Sequence, residues 1–190
     1  MKLAIIDTET TGLDLQTSVV LEFAAIIMDN GVEVARYGTK IKPTEQELQY
    51  AHPKALEKNG YTDEAWADAP TIEQVAPDIV AFLDGCTLVG HNVSFDEGML
   101  KAHFAAYGIE AKIPYKKIDT VTLAYEHLTP LGLKSVSLDR IREFLGWSKA
   151  GAHTAMKDVE DTKKLFDLLW QMTPEQQTDL AMLLAGDREG

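Results

Sequence analysis

The chain has 190 residues, of which 45% are hydrophobic and 25% are charged, as in one globular domain with a sizeable core. Its formal net charge of −12 argues against a protein that grips duplex DNA along a basic face. It does not exclude an enzyme that takes a few nucleotides into a metal-filled pocket, and no apolar run approaches the roughly 20 residues that span a bilayer.

Three segments at the start of the chain predict antiparallel strands. Residues 2–7 are mostly apolar and predict the first strand, followed by a loop over Thr8–Ser18. Val19–Met28 is strongly apolar, and Asp29-Asn30-Gly31 is a hairpin turn signal before a third strand over Val32–Lys42. A three-strand antiparallel meander is therefore expected.

Two capping boxes mark helices after the meander. Thr44-Glu45-Gln46-Glu47 opens a helix that is expected to end at Asn59-Gly60. Thr71-Ile72-Glu73-Gln74 opens another, with a kink expected at Pro77 because proline removes one backbone hydrogen bond.

The second half of the chain alternates apolar strands with helices. Thr87–His91 and Ile113–Ile118 predict the fourth and fifth strands. Ser94-Phe95-Asp96-Glu97 has the form of a third capping box, with Glu97 as the reciprocal partner of Ser94, and predicts a helix to about Tyr107. Further helices are predicted over Asp119–Leu128, Ser137–Gly146 and Thr154–Met172, and from Thr173 onward.

This order of elements predicts an α/β domain with a mixed five-stranded sheet flanked by helices. No repeat or linker divides the sequence, so residues 1–185 are predicted to form a single domain and residues 186–190 a frayed tail. The N-terminus enters a strand without a signal-peptide pattern. Cys86, the only cysteine, is expected to be a small buried hydrophobe, and these features favour a cytoplasmic protein.

Two carboxylates, Asp7 and Glu9, follow the apolar run Leu3–Ile6. Residues two apart on an extended chain point to the same side, so both acids would project together from the end of the strand. Because like charges repel and unpaired buried charges are costly, the pair predicts a cation between them.

Two later segments supply further carboxylates. Asp96 lies in the first helical turn after an apolar strand, a place where α/β sheets bind ligands, although a carboxylate there also interacts favourably with the helix dipole. Asp158 lies two and three helical turns before Leu165 and Leu169, so it points with the apolar stripe of the longest helix. His153 precedes that helix after a segment of small residues that can move.

Taken in order, these segments resemble the three motifs of the DEDDh group of 3′–5′ exonucleases. This superfamily includes polymerase proofreading exonucleases, ribonuclease T and oligoribonuclease. Asp7 and Glu9 match the first motif, Asp96 within His-Asn-Val-Ser-Phe-Asp matches the second, and His153 and Asp158 match the third. The resemblance extends to about residue 169 and implies a ribonuclease-H-like fold with two divalent cations, Mg²⁺ or Mn²⁺, which suit carboxylate ligands and phosphodiester hydrolysis.

The resemblance also implies a role for each of the five residues. Asp7 would bridge both cations, while Glu9 and Asp158 would complete the cation that carries the nucleophile. Asp96 would bind directly or through water. His153 would be the general base, since an imidazole with a pKa near neutrality can take the proton of a water molecule.

Some neighbouring residues could be taken for members of the site. His91 competes with His153 as general base, because it has the same spacing to Asp96 as His153 has to Asp158. It ends an apolar strand, however, and is expected to be buried, so His153 is preferred. Glu160 and Asp161 are expected on a solvated helix face.

Seven residues are candidates for contacts with a 3′-terminal nucleotide. Thr8, Thr10 and Gly12 could offer backbone and hydroxyl groups, although a simple loop explains them as well. Leu13 and Phe95 could stack on or wedge beside bases, with core packing as the alternative. Asn59 stands where polymerase proofreading subunits often have His and other family members have Asn. The seven are Thr8, Thr10, Gly12, Leu13, Asn59, Asn92 and Phe95.

The sequence thus predicts a metal-dependent 3′–5′ exonuclease that acts on single-stranded 3′ ends and releases nucleoside 5′-monophosphates. DNA is favoured over RNA because no separate basic segment is visible that could grip RNA. A polymerase or another replication or repair protein is the expected partner, with no membrane. An exoribonuclease that trims RNA ends and a scaffold that kept the fold but lost hydrolysis are the alternatives.

Overall fold

The computed structural model describes residues 1–186, which form a mixed five-stranded sheet in the order β3-β2-β1-β4-β5 with helices packed on both faces. The meander β1-β2-β3 is antiparallel, whereas β4 runs parallel to β1 and β5 runs parallel to β4. The predicted fold class is confirmed. The strands are β1 (Lys2–Thr10), β2 (Val20–Asp29), β3 (Val32–Lys40), β4 (Thr87–Gly90) and β5 (Lys117–Asp119).

The helices before β4 are α1 (Glu45–Leu48), α2 (Pro53–Lys58), α3 (Asp63–Trp66) and α4 (Ile72–Leu83). Those after it are α5 (Val93–Ala106), α6 (Thr120–His127), α7 (Leu138–Phe144), α8 (Ala155–Leu169) and α9 (Pro174–Gly186), with one 3₁₀ turn at Thr129–Leu131. None of these described helices has the length and apolar character needed to cross a membrane. Of the predicted tail, Gly186 ends α9 and residues 187–190 lie outside the described residues.

The pleat of β1 divides its side chains between two core layers. Ala4 and Ile6 pack in one cluster with residues of α4 and α5, while Leu3 and Ile5 pack in another with residues of α8. Asp7 and Glu9 continue the odd-numbered set. Their side chains therefore point to the face that α8 covers.

The first strand is longer than the sequence pattern predicts. Thr8 pairs with Phe23 and Glu9 with Glu22 of β2, so the strand continues to Thr10. The predicted loop at Thr8–Ser18 consequently begins three residues later. Asp7 and Glu9 lie within a paired strand, which holds their backbone more rigidly than a loop would.

The helix predicted from Thr44 to Asn59 is two separate helices. The predicted capping box is present, because Glu47 N–H donates to the Thr44 hydroxyl and the Glu47 carboxylate accepts from Thr44 N–H. That helix is α1, which ends at Leu48, and α2 starts anew with Pro53 at its first position. Proline cannot continue the preceding turn but is well suited to open a helix.

The capping box predicted at Ser94 is wrong. Helix α5 begins at Val93, so Ser94 already lies inside its first turn, and Glu97 instead binds Lys101 and Lys117. The capping function belongs to Asp119, at the end of β5. Its carboxylate accepts the backbone N–H groups of Asn92 and Val93 at the start of α5, and that of Val121 at the start of α6.

One further boundary differs. The fifth strand spans Lys117–Asp119 rather than Ile113–Ile118, since pairing with β4 begins only at Lys117. Pro77 lies within α4, which continues through it from Ile72 to Leu83. The third core cluster joins α6, α7 and α8 around Leu165 and Leu169, as the apolar stripe of α8 predicts.

Replacing Asp119 with Ala should destabilise the protein, because three backbone N–H groups at two helix starts would lose their shared acceptor. Losing helix caps of this kind costs about 0.5–2 kcal/mol each, so we expect the free energy of unfolding in urea to fall by about 2 kcal/mol. Asp78→Ala, at an exposed position of α4, is the matched control and should change it little. An Asp119→Ala variant as stable as wild type would contradict the shared capping role.

Candidate active site

Three carboxylates converge at the carboxyl end of β1. Oxygens of Asp7, Glu9 and Asp158 all lie within 4.8 Å of one another. Strand pairing brings Asp7 and Glu9 to the same side, and the first turn of α8 brings Asp158 from the helix packed over that side. Hard oxygen donors in such a cluster form a site that could bind a divalent cation.

Asp96 is tied to the same strand by two hydrogen bonds. Thr8, which lies between the two acids of β1, donates its backbone N–H and its hydroxyl to Oδ1 of Asp96, at 2.9 and 2.7 Å. Asp96 is in the first turn of α5 and is buried. The structure therefore brings all four predicted acids together, with Asp96 beside the three that form the close cluster.

The electrostatics of the cluster are unfavourable when all the acids are ionised. Burial first, and then the charges of Asp96 and Asp158, raise the pKa of Asp7 well above its usual range. Burial and the charge of Asp158 raise the pKa of Glu9 to about 7. Burial also raises the pKa of Asp96 to about 7, in spite of the hydrogen bonds from Thr8. Protons or cations must offset this repulsion.

Glu22 adds a fifth carboxylate that the sequence patterns did not reveal. It lies on β2 directly opposite Glu9, and its Oε2 accepts the backbone N–H of Ala155 at the start of α8, at 3.2 Å. Burial raises the pKa of Glu22 as well. This contact ties the start of α8, and with it Asp158, to the sheet.

Asp158 differs from the other acids because it has a cationic partner. The Nη2 atom of Arg142, in α7, donates to Oδ1 of Asp158 at 2.7 Å. Arg142 is fully buried, with 0% of its side chain exposed, and also binds Asp139 and Asp161. Sequence reasoning missed this arginine, although its place four residues after Leu138 on the buried side of α7 was a signal.

The sequence predicted Asp161 on a solvated helix face, and this prediction is wrong. Its side chain is buried, and it accepts from Nε of Arg142 and Nζ of Lys157. Glu160 is on the exposed side and pairs with Arg36. One residue of offset on a helix turns a side chain by about 100°, so only one of the two neighbours faces α7.

The two candidate histidines differ in what their rings contact. His153 donates its backbone N–H to Oδ1 of Asp158 at 3.1 Å, but its ring Nε2 lies 3.7 Å from Oδ2 of Asp139. His91 lines the pocket beside the acids. Its Nε2 lies 2.7 Å from the carbonyl oxygen of Val136 and its Nδ1 lies 2.9 Å from the hydroxyl of Thr120. Both nitrogens of His91 are thus engaged in holding the fold, and burial lowers the pKa of its ring.

The acids open into a cavity of about 660 Å³. Six of the seven predicted substrate contacts line it, and Leu13 is 83% exposed at its rim. The seventh, Asn92, is exposed and does not line this cavity; it adopts a left-handed conformation (φ 74°) before α5. The six are Thr8, Thr10, Gly12, Leu13, Asn59 and Phe95.

Several of these residues also shape the pocket wall. The hydroxyl of Thr10 donates to the carbonyl of Gly12 at 2.6 Å, and Nδ2 of Asn59 donates to the carbonyl of Thr10 at 2.9 Å. A Cβ atom at position 12 would lie 2.7 Å from Oγ of Ser18, so a side chain there would require Ser18 to move. The end of β1 and the end of α2 are thereby held together.

Helix α2 contributes cations that the sequence analysis did not single out. Lys54 and Lys58 line the cavity, together with His52 at the N-cap of α2. The charge of Lys58 acts on Glu9 and opposes the rise in its pKa. In a chain of net charge −12, the two lysines supply local positive charge at the edge of an acidic pocket.

Comparison with protein families gives a match to a model described as exonuclease over residues 4–166. The chain is 31% identical to the DNA polymerase III subunit epsilon of Aquifex aeolicus, over 85% of this chain and 77% of that subunit. It is 34% identical to the PolC-type DNA polymerase III of Thermotoga maritima, over 85% of this chain and 11% of that protein. The chain therefore spans about a tenth of the PolC-type polymerase.

Comparison with solved structures gives a match to E. coli exonuclease I in complex with a dT13 oligonucleotide. The TM-score is 0.77 at 23% identity, over 92% of this chain and 42% of that chain. This likeness extends across the sheet and its helices and confirms the ribonuclease-H-like fold.

Replacing Glu9 with Gln should stabilise the metal-free protein at alkaline pH. The pKa of Glu9 rises from 4.5 to about 7 on folding. As the pH rises through this window, Glu9 loses its proton in the unfolded chain before it does so in the folded protein, and the folded protein therefore loses stability. A shift of this size corresponds to at most about 3 kcal/mol, and coupling to the other acids reduces it. We expect the variant to exceed wild type by about 1–3 kcal/mol in EDTA at pH 8, and by little at pH 4.

Urea unfolding at the two pH values measures this difference. Glu126→Gln, at an exposed position of α6, is the matched control and should change stability equally little at both. A Glu9→Gln variant with no gain at pH 8 would show that the cluster imposes no electrostatic penalty at this position.

Proposed function

The chain belongs to the exonuclease family, as its motifs predict, and from this membership we propose that it hydrolyses the terminal phosphodiester bond at the 3′ end of single-stranded nucleic acid. The products are nucleoside 5′-monophosphates. The observation that carries the proposal is the cluster of Asp7, Glu9 and Asp158 within 4.8 Å, with Asp96 held beside it by Thr8.

The donor set fits divalent cations. All four side chains offer carboxylate oxygens, the ligands that Mg²⁺ and Mn²⁺ prefer. The raised pKa values of Asp7, Glu9 and Asp96 reflect negative charge without enough compensation from the described residues. In this proposal the four acids hold two such cations, which when bound supply an activated water and charge stabilisation at the leaving 3′-oxygen.

The protein's own contribution is to place these groups on rigid elements. Asp7 and Glu9 are fixed by strand pairing, and Asp96 is fixed by two hydrogen bonds from Thr8. A site held in this way needs little reorganisation when substrate enters, which lowers the cost of reaching the transition state.

His153 is the proposed general base. Its ring must leave Asp139 and turn towards the acids, which its backbone already reaches through the hydrogen bond to Asp158. The segment before it contains Gly151 in a left-handed conformation (φ 77°), and His153 itself has φ 69°. His91 is a poorer candidate because Thr120 and Val136 engage both of its ring nitrogens.

The pocket offers separate surfaces for bases and phosphates. Leu13 and Phe95 present apolar groups on which a terminal base can stack, and Lys54 and Lys58 can contact backbone phosphates. The cavity of about 660 Å³ accommodates a few unpaired nucleotides rather than a duplex.

DNA is the favoured substrate in this proposal, with a replicative polymerase as the partner. The relative from Aquifex aeolicus is named as a subunit of DNA polymerase III, and the structure of exonuclease I holds a dT13 oligonucleotide. These names support DNA over RNA for this chain, and a role in replication or repair.

Incubation of 5′-labelled DNA and RNA oligonucleotides of one sequence with the protein and Mg²⁺ or Mn²⁺ tests the activity. We expect stepwise shortening from the 3′ end, faster on DNA, and a loss of about 10²–10³-fold in Asp7→Asn, because metal stabilisation is worth several kcal/mol. Asp29→Asn, at the opposite end of the sheet, is the control and should keep wild-type activity.

The assay has two outcomes that contradict the proposal. DNA and RNA both left at full length under every metal condition would exclude the exonuclease activity and favour a scaffold. Faster shortening of RNA would replace the DNA substrate with an exoribonuclease role.

Replacing His153 with Asn should lower kcat by about 100-fold or more, as expected for loss of a general base. Asparagine tolerates the positive φ at this position, and the backbone hydrogen bond to Asp158 is kept, so binding of Mn²⁺ measured by calorimetry should be nearly unchanged. His127→Asn, at the end of α6, is the matched control. A His153→Asn variant with wild-type kcat would remove His153 from the mechanism.

A further inference from the structure

Arg142 is a cation buried beside the acidic cluster. Its three guanidinium nitrogens bind three different aspartates: Nε binds Asp161 at 2.7 Å, Nη1 binds Asp139 at 2.9 Å and Nη2 binds Asp158 at 2.7 Å. No part of its side chain is exposed to solvent. Arg142 therefore cannot touch a nucleic acid in the pocket. It can act on the site through the aspartates that it binds and through its charge, which opposes the rise in the pKa of Asp7.

The contact with Asp158 selects one of its two oxygens. Oδ1 of Asp158 accepts from Nη2 of Arg142 and from the backbone N–H of His153. Within residues 1–186, Oδ2 accepts no hydrogen bond. Two donors on Oδ1 fix the plane of the carboxylate and leave Oδ2 available to a cation.

The geometry requires arginine rather than a simple positive charge. The planar guanidinium holds its donors in a rigid fork, so the bonds to Asp161 and Asp139 anchor the orientation of the nitrogen that meets Asp158. Lysine has one compact ammonium on a flexible stem and cannot reach three carboxylates in fixed directions. Asp139 and Arg142 lie on α7, whereas Asp158 and Asp161 lie on α8, so the fork also joins the two helices.

The charge of Arg142 and its effect on the orientation of Asp158 change metal affinity in opposite directions. A positive charge next to a metal ligand repels an incoming cation and by itself weakens metal binding. Orientation of a ligand by its hydrogen-bond partners strengthens binding, and loss of such partners typically costs 10–100-fold in metal affinity or activity. A buried arginine at this place is useful to the site only if orientation outweighs repulsion.

We propose that Arg142 is a positioning residue for catalysis: it holds Asp158 so that one carboxylate oxygen is presented to the cations bound with Asp7 and Glu9. This inference rests on the proposed exonuclease function. Asp7 and Glu9 obtain their position from the strand, whereas the carboxylate of Asp158 is oriented by this fork together with the backbone N–H of His153.

Arg142→Lys tests the proposal, because it keeps the charge and removes the fork. We expect calorimetry to show Mn²⁺ affinity about 10-fold weaker than in wild type, and kcat on single-stranded DNA to fall while KM for the oligonucleotide stays the same. Arg140→Lys is the matched control: Arg140 lies on the same helix but is exposed and pairs with Glu143. This control should match wild type in all three quantities.

A second variant covers the case in which Arg142→Lys does not fold. The double substitution Arg142→Met with Asp161→Asn removes one positive and one negative charge, so the net charge is kept. Asp139 and Asp158 lose the arginine, and Lys157 loses the charge of Asp161. Apolar or neutral replacements of buried ion pairs are often tolerated. Circular dichroism and thermal unfolding establish its fold, and its Mn²⁺ affinity should also fall about 10-fold.

Folded variants with Mn²⁺ affinity and kcat equal to or above those of wild type would overturn the proposal and leave Arg142 a purely structural role. A variant that loses thermal stability but keeps the Mn²⁺ affinity of wild type would overturn the proposal in the same way. If wild-type protein binds Mn²⁺ but leaves both DNA and RNA at full length, the exonuclease function fails, and calorimetry still decides the role of Arg142. If wild type binds no Mn²⁺, both inferences fail.

Discussion

Repulsion among buried carboxylates is the constraint on which this structure depends. Asp7, Glu9 and Asp158 bring their oxygens within 4.8 Å of one another, and Asp96 lies beside them. Left to themselves, such side chains would turn apart or into solvent. They stay together because each belongs to an element that the core holds in place: β1 at the centre of the sheet, α5 on one face and α8 on the other.

The acids are not held in the same way. Asp96 accepts two hydrogen bonds from Thr8, and Asp158 accepts from a buried arginine and a backbone N–H. Asp7 and Glu9 accept no side-chain hydrogen bond from residues 1–186 and depend on the strand for their position. Burial and neighbouring carboxylates raise the pKa values of both acids, which lie at the centre of the proposed cation site.

The same arrangement bears on how an acidic protein would carry out the proposed hydrolysis of a polyanion. The pocket places cations of α2, Lys54 and Lys58, opposite the carboxylates and exposes Leu13 at its rim. Metal ions would reverse the sign of the pocket, and the lysines would add positive charge where phosphates enter. Under the proposed function, binding of nucleic acid would be local and metal-dependent, which is compatible with a net charge of −12.

Local sequence patterns predicted the order of the five strands, the sheet class and most of the helices, because alternation and apolar stripes are properties of neighbouring residues. The resemblance of three separate motifs to the exonuclease family then implied that the four acids form one site. Local patterns could not reveal that Asp119 caps α5, that Ser94 does not, or that Asp161 is buried, since each depends on which element packs opposite. The ring of His153 lies against Asp139 for the same reason. Only the packing of α7 on α8 places Arg142 against Asp158, and a contact between residues on different helices leaves no periodic trace in the chain.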